Sequence, residues 1–150
     1  MSIQLSTGIR NHVLASGSFA AALNTGLLTI YAGTPPASPD DALSGNTLLC
    51  TISVNGGGGG ISFESAAVNG ILSKAAAETW QGTNAADGTA AFFRWTESGG
   101  NPALASTTEK RIQGSIAVAG ADLNLSSVGL VSGAVQTVDF FNVTLPSQAA

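Results

Sequence analysis

Residues 47–54 read TLLCTISV, and the run places Leu48, Cys50, Ile52 and Val54 at one parity, with Leu49, Thr51 and Ser53 at the other. A side-chain period of two belongs to a strand. Similar short runs recur along the chain at 27–32, 61–66, 70–75, 76–82, 89–97, 110–119, 121–127 and 134–145, separated by segments rich in Gly, Pro, Asn and Asp. Eight or nine short strands at such spacing, without helices alternating between them, specify an antiparallel sandwich or barrel rather than a doubly wound α/β sheet. Two stretches carry a helical signature instead. In 7–15, TGIRNHVLA, Ile9, Val13 and Leu14 fall at helical spacing, with Gly17 beyond the end. Ser18 then caps a shorter turn that stops at Asn24-Thr25-Gly26. The expected organisation is an N-terminal arm with short helices over 1–26, packed on one β-sandwich domain over 27–150.

Individual runs carry finer expectations. On 110–119, Ile112, Ile116 and Val118 share the inward parity. The last run, AVQTVDFFNVTL, has phenylalanine at both parities, Phe140 and Phe141, so both of its faces are expected to be covered. Segments 33–46 and 98–107 are expected loops, since prolines cannot serve a central ladder, and 83–88, TNAADG, is an expected turn.

Five consecutive glycines, Gly56–Gly60, stand between two strand runs. A phosphate-binding loop would continue with Lys and Ser or Thr at the start of a helix, but Ile61-Ser62-Phe63 follows. A dinucleotide fingerprint fails on the same missing helix, although Glu78 lies near the required distance. The run is therefore expected to be a ligand-free loop between strands, flanked by Val54 and Ile61.

Few residues offer chemistry. Cys50 is the single cysteine, which excludes an intrachain disulfide and a thiolate zinc site. Its apolar setting reads as a small buried hydrophobe. His12 is the single histidine and reads as a surface or capping residue. Asp40-Asp41 fits a turn or a helix cap better than a calcium site. Glu64, Glu78, Glu97, Asp87 and Asp139 show no spacing that selects a catalytic pair. The sequons at Asn124 and Asn142 lie in expected strands and are read as chance. No catalytic residue, cofactor site or metal site is expected, and the chain does not read as an enzyme. Trp80, Trp95 and Tyr31 are either core aromatics or a sugar-binding platform.

Charge narrows the partners. Only 9% of residues are charged, where a soluble domain usually has about 25%. Disorder does not explain this, because 44% of the chain is hydrophobic. The surface must be built from Ser, Thr, Asn, Gln, Gly and Ala, which another protein covers at low desolvation cost. Arg10, Lys74, Arg94, Lys110 and Arg111 are mostly scattered and the net charge is −4, so nucleic acid is not an expected partner. Nor is a membrane, because no apolar run approaches about 20 residues. The N-terminus lacks the basic region of a signal peptide and reads as part of the mature fold.

The segments GIRNHVLASGSF, LLTIYAGTPPASPDDALSGNTLLCTISVNG, AETWQGTNAADGTAAFFRW, KRIQGSIAVAGADLNL and VSGAVQTVDFFNVTLP together resemble small structural proteins of tailed bacteriophages, in particular the capsid cement proteins of short-tailed Bordetella-type phages. The resemblance covers nearly the whole chain. It implies an antiparallel jelly-roll-like β-sandwich with a short N-terminal helical segment. It also implies a place on the outer capsid surface of a virion assembled in the host cytoplasm. The partners it implies are the major capsid protein and further copies of the chain, as a dimer rather than a trimer. That family supplies no catalytic motif. On this reading Ile3, Leu5, Ile9 and Arg10, together with Pro35 and Pro36, are the candidate contact residues, and loops 33–46 and 98–107 extend the surface. The alternatives are a tail or head–tail joining protein, or a carbohydrate-binding module using the three aromatics.

Overall fold

The computed structural model describes residues 3–144. It is an all-β, antiparallel, sandwich-like fold with two short helices near the N-terminus. The strands are β1 (Gln4–Leu5), β2 (Leu27–Ala32), β3 (Thr47–Val54), β4 (Ile71–Ser73), β5 (Trp80–Thr83), β6 (Gly88–Thr89), β7 (Phe92–Thr96), β8 (Arg111–Ala117), β9 (Leu123–Asn124), β10 (Gly129–Leu130), β11 (Val135–Val138) and β12 (Asn142–Thr144). The main sheet runs β1-β8-β7-β2-β3-β5-β11, with β9 pairing parallel to β8. Two small ribbons, β10–β6 and β12–β4, lie apart from it. No helix among the described residues is long and apolar enough to cross a membrane.

Helix α1 (Thr7–Ala15) starts where Ser6 Oγ accepts from Ile9 N, and it ends where Ser16 N and Gly17 N both donate to His12 O. Helix α2 (Phe19–Leu23) uses Ser18 in the same capping role. Of the expected apolar face of α1, only Ile9 is buried; Val13 and Leu14 are exposed.

One face of the main sheet carries Leu28, Ile30, Ile52, Trp80, Phe93, Trp95 and Ile112 into the core, where Ile9 and Leu23 from the helices, Ile61, Phe63 and Phe141 meet them. Trp95 lies at its centre, with Phe63 stacked at 4.5 Å and Trp80 edge-on at 5.1 Å. Both indole N–H groups are satisfied: Trp95 Nε1 donates to Leu23 O and Trp80 Nε1 to Glu78 Oε1. Glu78 Oε1 also accepts from Ser62 N, and Asn24 Oδ1 accepts from Phe63 N. These bonds hold the 61–63 segment on the core.

The expected faces hold only in part. Cα partners run Ile30↔Cys50 and then Tyr31↔Leu48, which leaves Leu49 as an extra residue in β3. A bulge of this kind shifts side-chain parity. Leu49 and Cys50 are therefore both buried, and Leu48, expected inside, is 41% exposed. Val118 lies beyond the end of β8 and is exposed rather than inward. The last run is two strands, β11 and β12, broken at 139–141, so Phe141 enters the core while Phe140 is 83% exposed. Its final residue, Leu145, lies outside the described residues.

Cys50 is buried as expected, and burial pushes its thiol up to about 11. Almost no thiolate exists at neutral pH, and reagent cannot reach the sulfur. A thiol reagent at pH 7.5 is expected to label the native chain only at its global unfolding rate and to label it fully in denaturant. Rapid native labelling would contradict the packing around β3.

Candidate functional site

The opposite face of the sheet carries a polar row. In register across five strands lie Gln4, Gln113, Arg94, Thr29 and Thr51. Gln113 Nε2 donates to Gln4 Oε1 (2.9 Å), Arg94 Nε donates to Gln113 Oε1 (2.8 Å), and Thr29 Oγ1 donates to the carbonyl of Arg94 (3.1 Å). Arg94 and Arg111 are both fully buried. Burying a guanidinium is costly unless its donors are matched. Here most of the acceptors come from two loops, and among the described residues Arg111 Nε is left without a partner. Arg94 donates to Pro102 O and Ser38 O, and Arg111 donates to Pro39 O, Asn101 O and Glu109 Oε1. Burial, with the neighbouring Arg111, pulls Arg94 down to about 10, so it remains charged at neutral pH.

The two arginines thus staple loops 33–46 and 98–107 to the sheet as one layer. The N-terminus joins them. Thr7 donates to Asp40 through both N (2.8 Å) and Oγ1 (2.6 Å), which places a carboxylate at the start of α1. Gln4 Nε2 donates to Ala37 O, and Asp41 Oδ2 accepts from Ser38 N. Asp40 and Asp41 accordingly serve as helix cap and turn. Among the described residues no group of three or more His, Cys, Asp or Glu is placed to hold a metal ion.

The candidate contact residues divide between two faces. Arg10 is exposed on α1, where its NH2 donates to Thr7 Oγ1, while Pro35 and Pro36 belong to loop 33–46, where Pro36 O accepts from Gln113 Nε2. Leu5 shares its register with core Ile112, at the parity opposite to Gln4. With Ile3, Val13, Phe19, Leu72 and Val143 it lines a groove of about 790 Å³ on the other side. Ile9 is a correction. It is fully buried in the protomer's own core and cannot be a contact residue. The N-terminal arm is tied to the sheet: β1 pairs with β8, and Ser6 donates to Glu109 O and accepts from Arg111 N.

The three-aromatic platform is a second correction: Trp80 and Trp95 are fully buried, and Tyr31 stacks on Phe92 at 5.2 Å. The two indoles serve the core, while Tyr31 lies on the opposite face of the sheet at 3% exposure, so the three rings form no common platform.

Where the loop layer stops, the β2–β3 part of the sheet lies open as a second groove of about 710 Å³. Leu27, Thr29, Tyr31, Leu48, Thr51 and Thr96 form its floor. Segments 43–46 and 97–103 wall it, and Gly58 and Gly60 of the glycine run close one end. The run is indeed a loop between strands, tied down by Val54 N donating to Gly59 O and by the Gly26↔Ile61 bridge. Glu97 is the one charged side chain among the lining residues, and it is ion-paired with Lys110 at 2.7 Å. Burial pushes the Glu97 carboxyl up, but bonds from Lys110 outweigh this and hold it below its ordinary value.

Sequence reasoning missed the buried arginines and the groove threonines. The available signals were a cation between aromatics in FFRWT, and Thr29, Thr51 and Thr96 as hydroxyls inside otherwise apolar strands. Comparison with family models, with curated proteins and with solved structures finds no match for this chain.

Proposed function

We propose that this chain is an adhesive structural subunit that decorates the outer surface of a tailed-phage capsid through protein–protein contacts. The observation that supports this reading is the stapled loop layer. Loops 33–46 and 98–107 form one preorganised surface, held from beneath by Arg94 and Arg111 through Ser38, Pro39, Asn101 and Pro102. A surface fixed before contact loses little conformational entropy on binding. With few charges to desolvate, it suits repeated contacts on a symmetric shell, where many weak interfaces act together.

The test is co-sedimentation with capsid shells lacking the protein. The chain is expected to sediment with them, and Leu104→Asp is expected to weaken binding by more than about tenfold. Leu104 is 60% exposed on the loop layer, so this change leaves the fold intact. Absence of binding across a range of salt concentrations would refute the reading. Imaging of complete virions separates capsid from tail: density over the capsid faces is expected, and density confined to the tail or portal vertex would favour the joining-protein alternative.

A further inference from the structure

We propose that the groove over β2 and β3 is a binding site for an uncharged, polyhydroxylated ligand, a neutral oligosaccharide. The site's chemistry is set by the open end of the polar row. Thr25, Thr51 and Thr96 line the groove, and the Thr96 hydroxyl has no hydrogen-bond partner among the described residues. Thr96 is 3% exposed, and its Oγ1 is buried as well as unpaired. A buried hydroxyl without a partner is costly and is normally satisfied by something bound beside it. Thr96 sits at the parity of Arg94 on β7, which is the groove side.

Other ligand classes fit poorly. The lining offers no unpaired charge, since Glu97 is held by Lys110, so anions and cations find no counterpart. Peptides dock by adding to a free sheet edge, by laying a helix in an apolar groove, or by packing prolines on exposed aromatics. Strands β2 and β3 are interior to the sheet, the floor is studded with hydroxyls, and Tyr31 is stacked on Phe92. A ligand carrying many hydroxyls of its own matches the floor, with Leu27 and Leu48 meeting its C–H faces. The volume lies within the usual range for small-molecule sites. Because the arginine staple fixes the 97–103 wall, the groove exists before the ligand arrives.

The experiment titrates the isotope-labelled chain with neutral tri- and tetrasaccharides of glucose, galactose, mannose and N-acetylglucosamine, and reads the backbone amides of Gly58, Gly60, Gly99 and Gly100. At least one sugar is expected to give saturable shifts at these amides, unchanged by salt. Thr51→Val keeps the shape of a strand residue and is expected to weaken binding about tenfold. Thr96→Val is expected to weaken binding while leaving thermal stability equal or higher, because it removes an unpaired buried hydroxyl. A purely structural threonine would not show that opposition. Three results would each overturn the proposal: no groove shifts at millimolar sugar, identical titrations for wild type and Thr51→Val, or stronger shifts of the same amides by neutral hexapeptides.

Discussion

Replacing Arg94 with methionine is expected to destabilise the chain by about 3–5 kcal/mol and to loosen both loops at once. The stem of methionine fills much of the same space, so the loss is mainly polar. Pro102 O, Ser38 O and Gln113 Oε1 lose their donor together. Each acceptor left unsatisfied costs about 1–3 kcal/mol, partly offset by relief of the repulsion between Arg94 and Arg111. At this chain length the change corresponds to a drop in Tm of about 10 °C. Hydrogen exchange should rise in 33–46 and 98–107 well before it rises in β2 and β3. Arg10→Met serves as the comparison: Arg10 is exposed, and its removal is expected to stay within about 0.5 kcal/mol. Equal effects at the two positions would show that the arginines do not staple the loops.

The second large effect is expected inside the glycine run, and it depends on position. A Cβ at Gly60 would overlap the backbone carbonyl of Thr25, where the 24–26 turn lies against Ile61. Gly60→Ala is therefore expected to cost about 3 kcal/mol, because a backbone neighbour cannot step aside as a side chain can. Gly57 has room, with its nearest neighbour Val54 O at 3.6 Å, and Gly57→Ala is expected to be nearly neutral. Gly58 has φ +89° in open space, so Gly58→Ala should fall between them, at about 1–2 kcal/mol. Thermal melting of the three variants should rank them in this order. A flat series would mean that the run is only a spacer.

Local patterns were the most legible part of this chain. The bounds of β2, β3 and α1 followed from residue spacing and from Ser6, Ser18 and Gly17 at the helix ends. Parity was legible until the backbone departed from a regular ladder. The bulge at Leu49 and the break at 139–141 each exchange inside for outside, and neither leaves a mark in the hydrophobic pattern. The candidate site was legible as loops but not as a unit. Arg94 and Arg111 lie far from Ser38 and Pro39 in sequence, and nothing local in FFRWT says which carbonyls will receive the guanidinium. The same holds for the N-terminal arm, since Leu5 finds Ile112 only through the topology of the sheet.

That last pairing has a consequence during synthesis. Strand β1 is made about 105 residues before its partner β8, which begins at Arg111. The ribosome emits roughly 5–20 residues per second, so the arm waits several seconds or more without its neighbour. From its own synthesis until that of β8, β7 also lacks the strand that will flank it, and an open edge is a template for pairing with other chains. A chain cut short before Arg111 keeps both defects permanently. Shortened products are therefore expected to aggregate as they are released, whereas a chain that includes β8 covers β7 and gives β1 its partner.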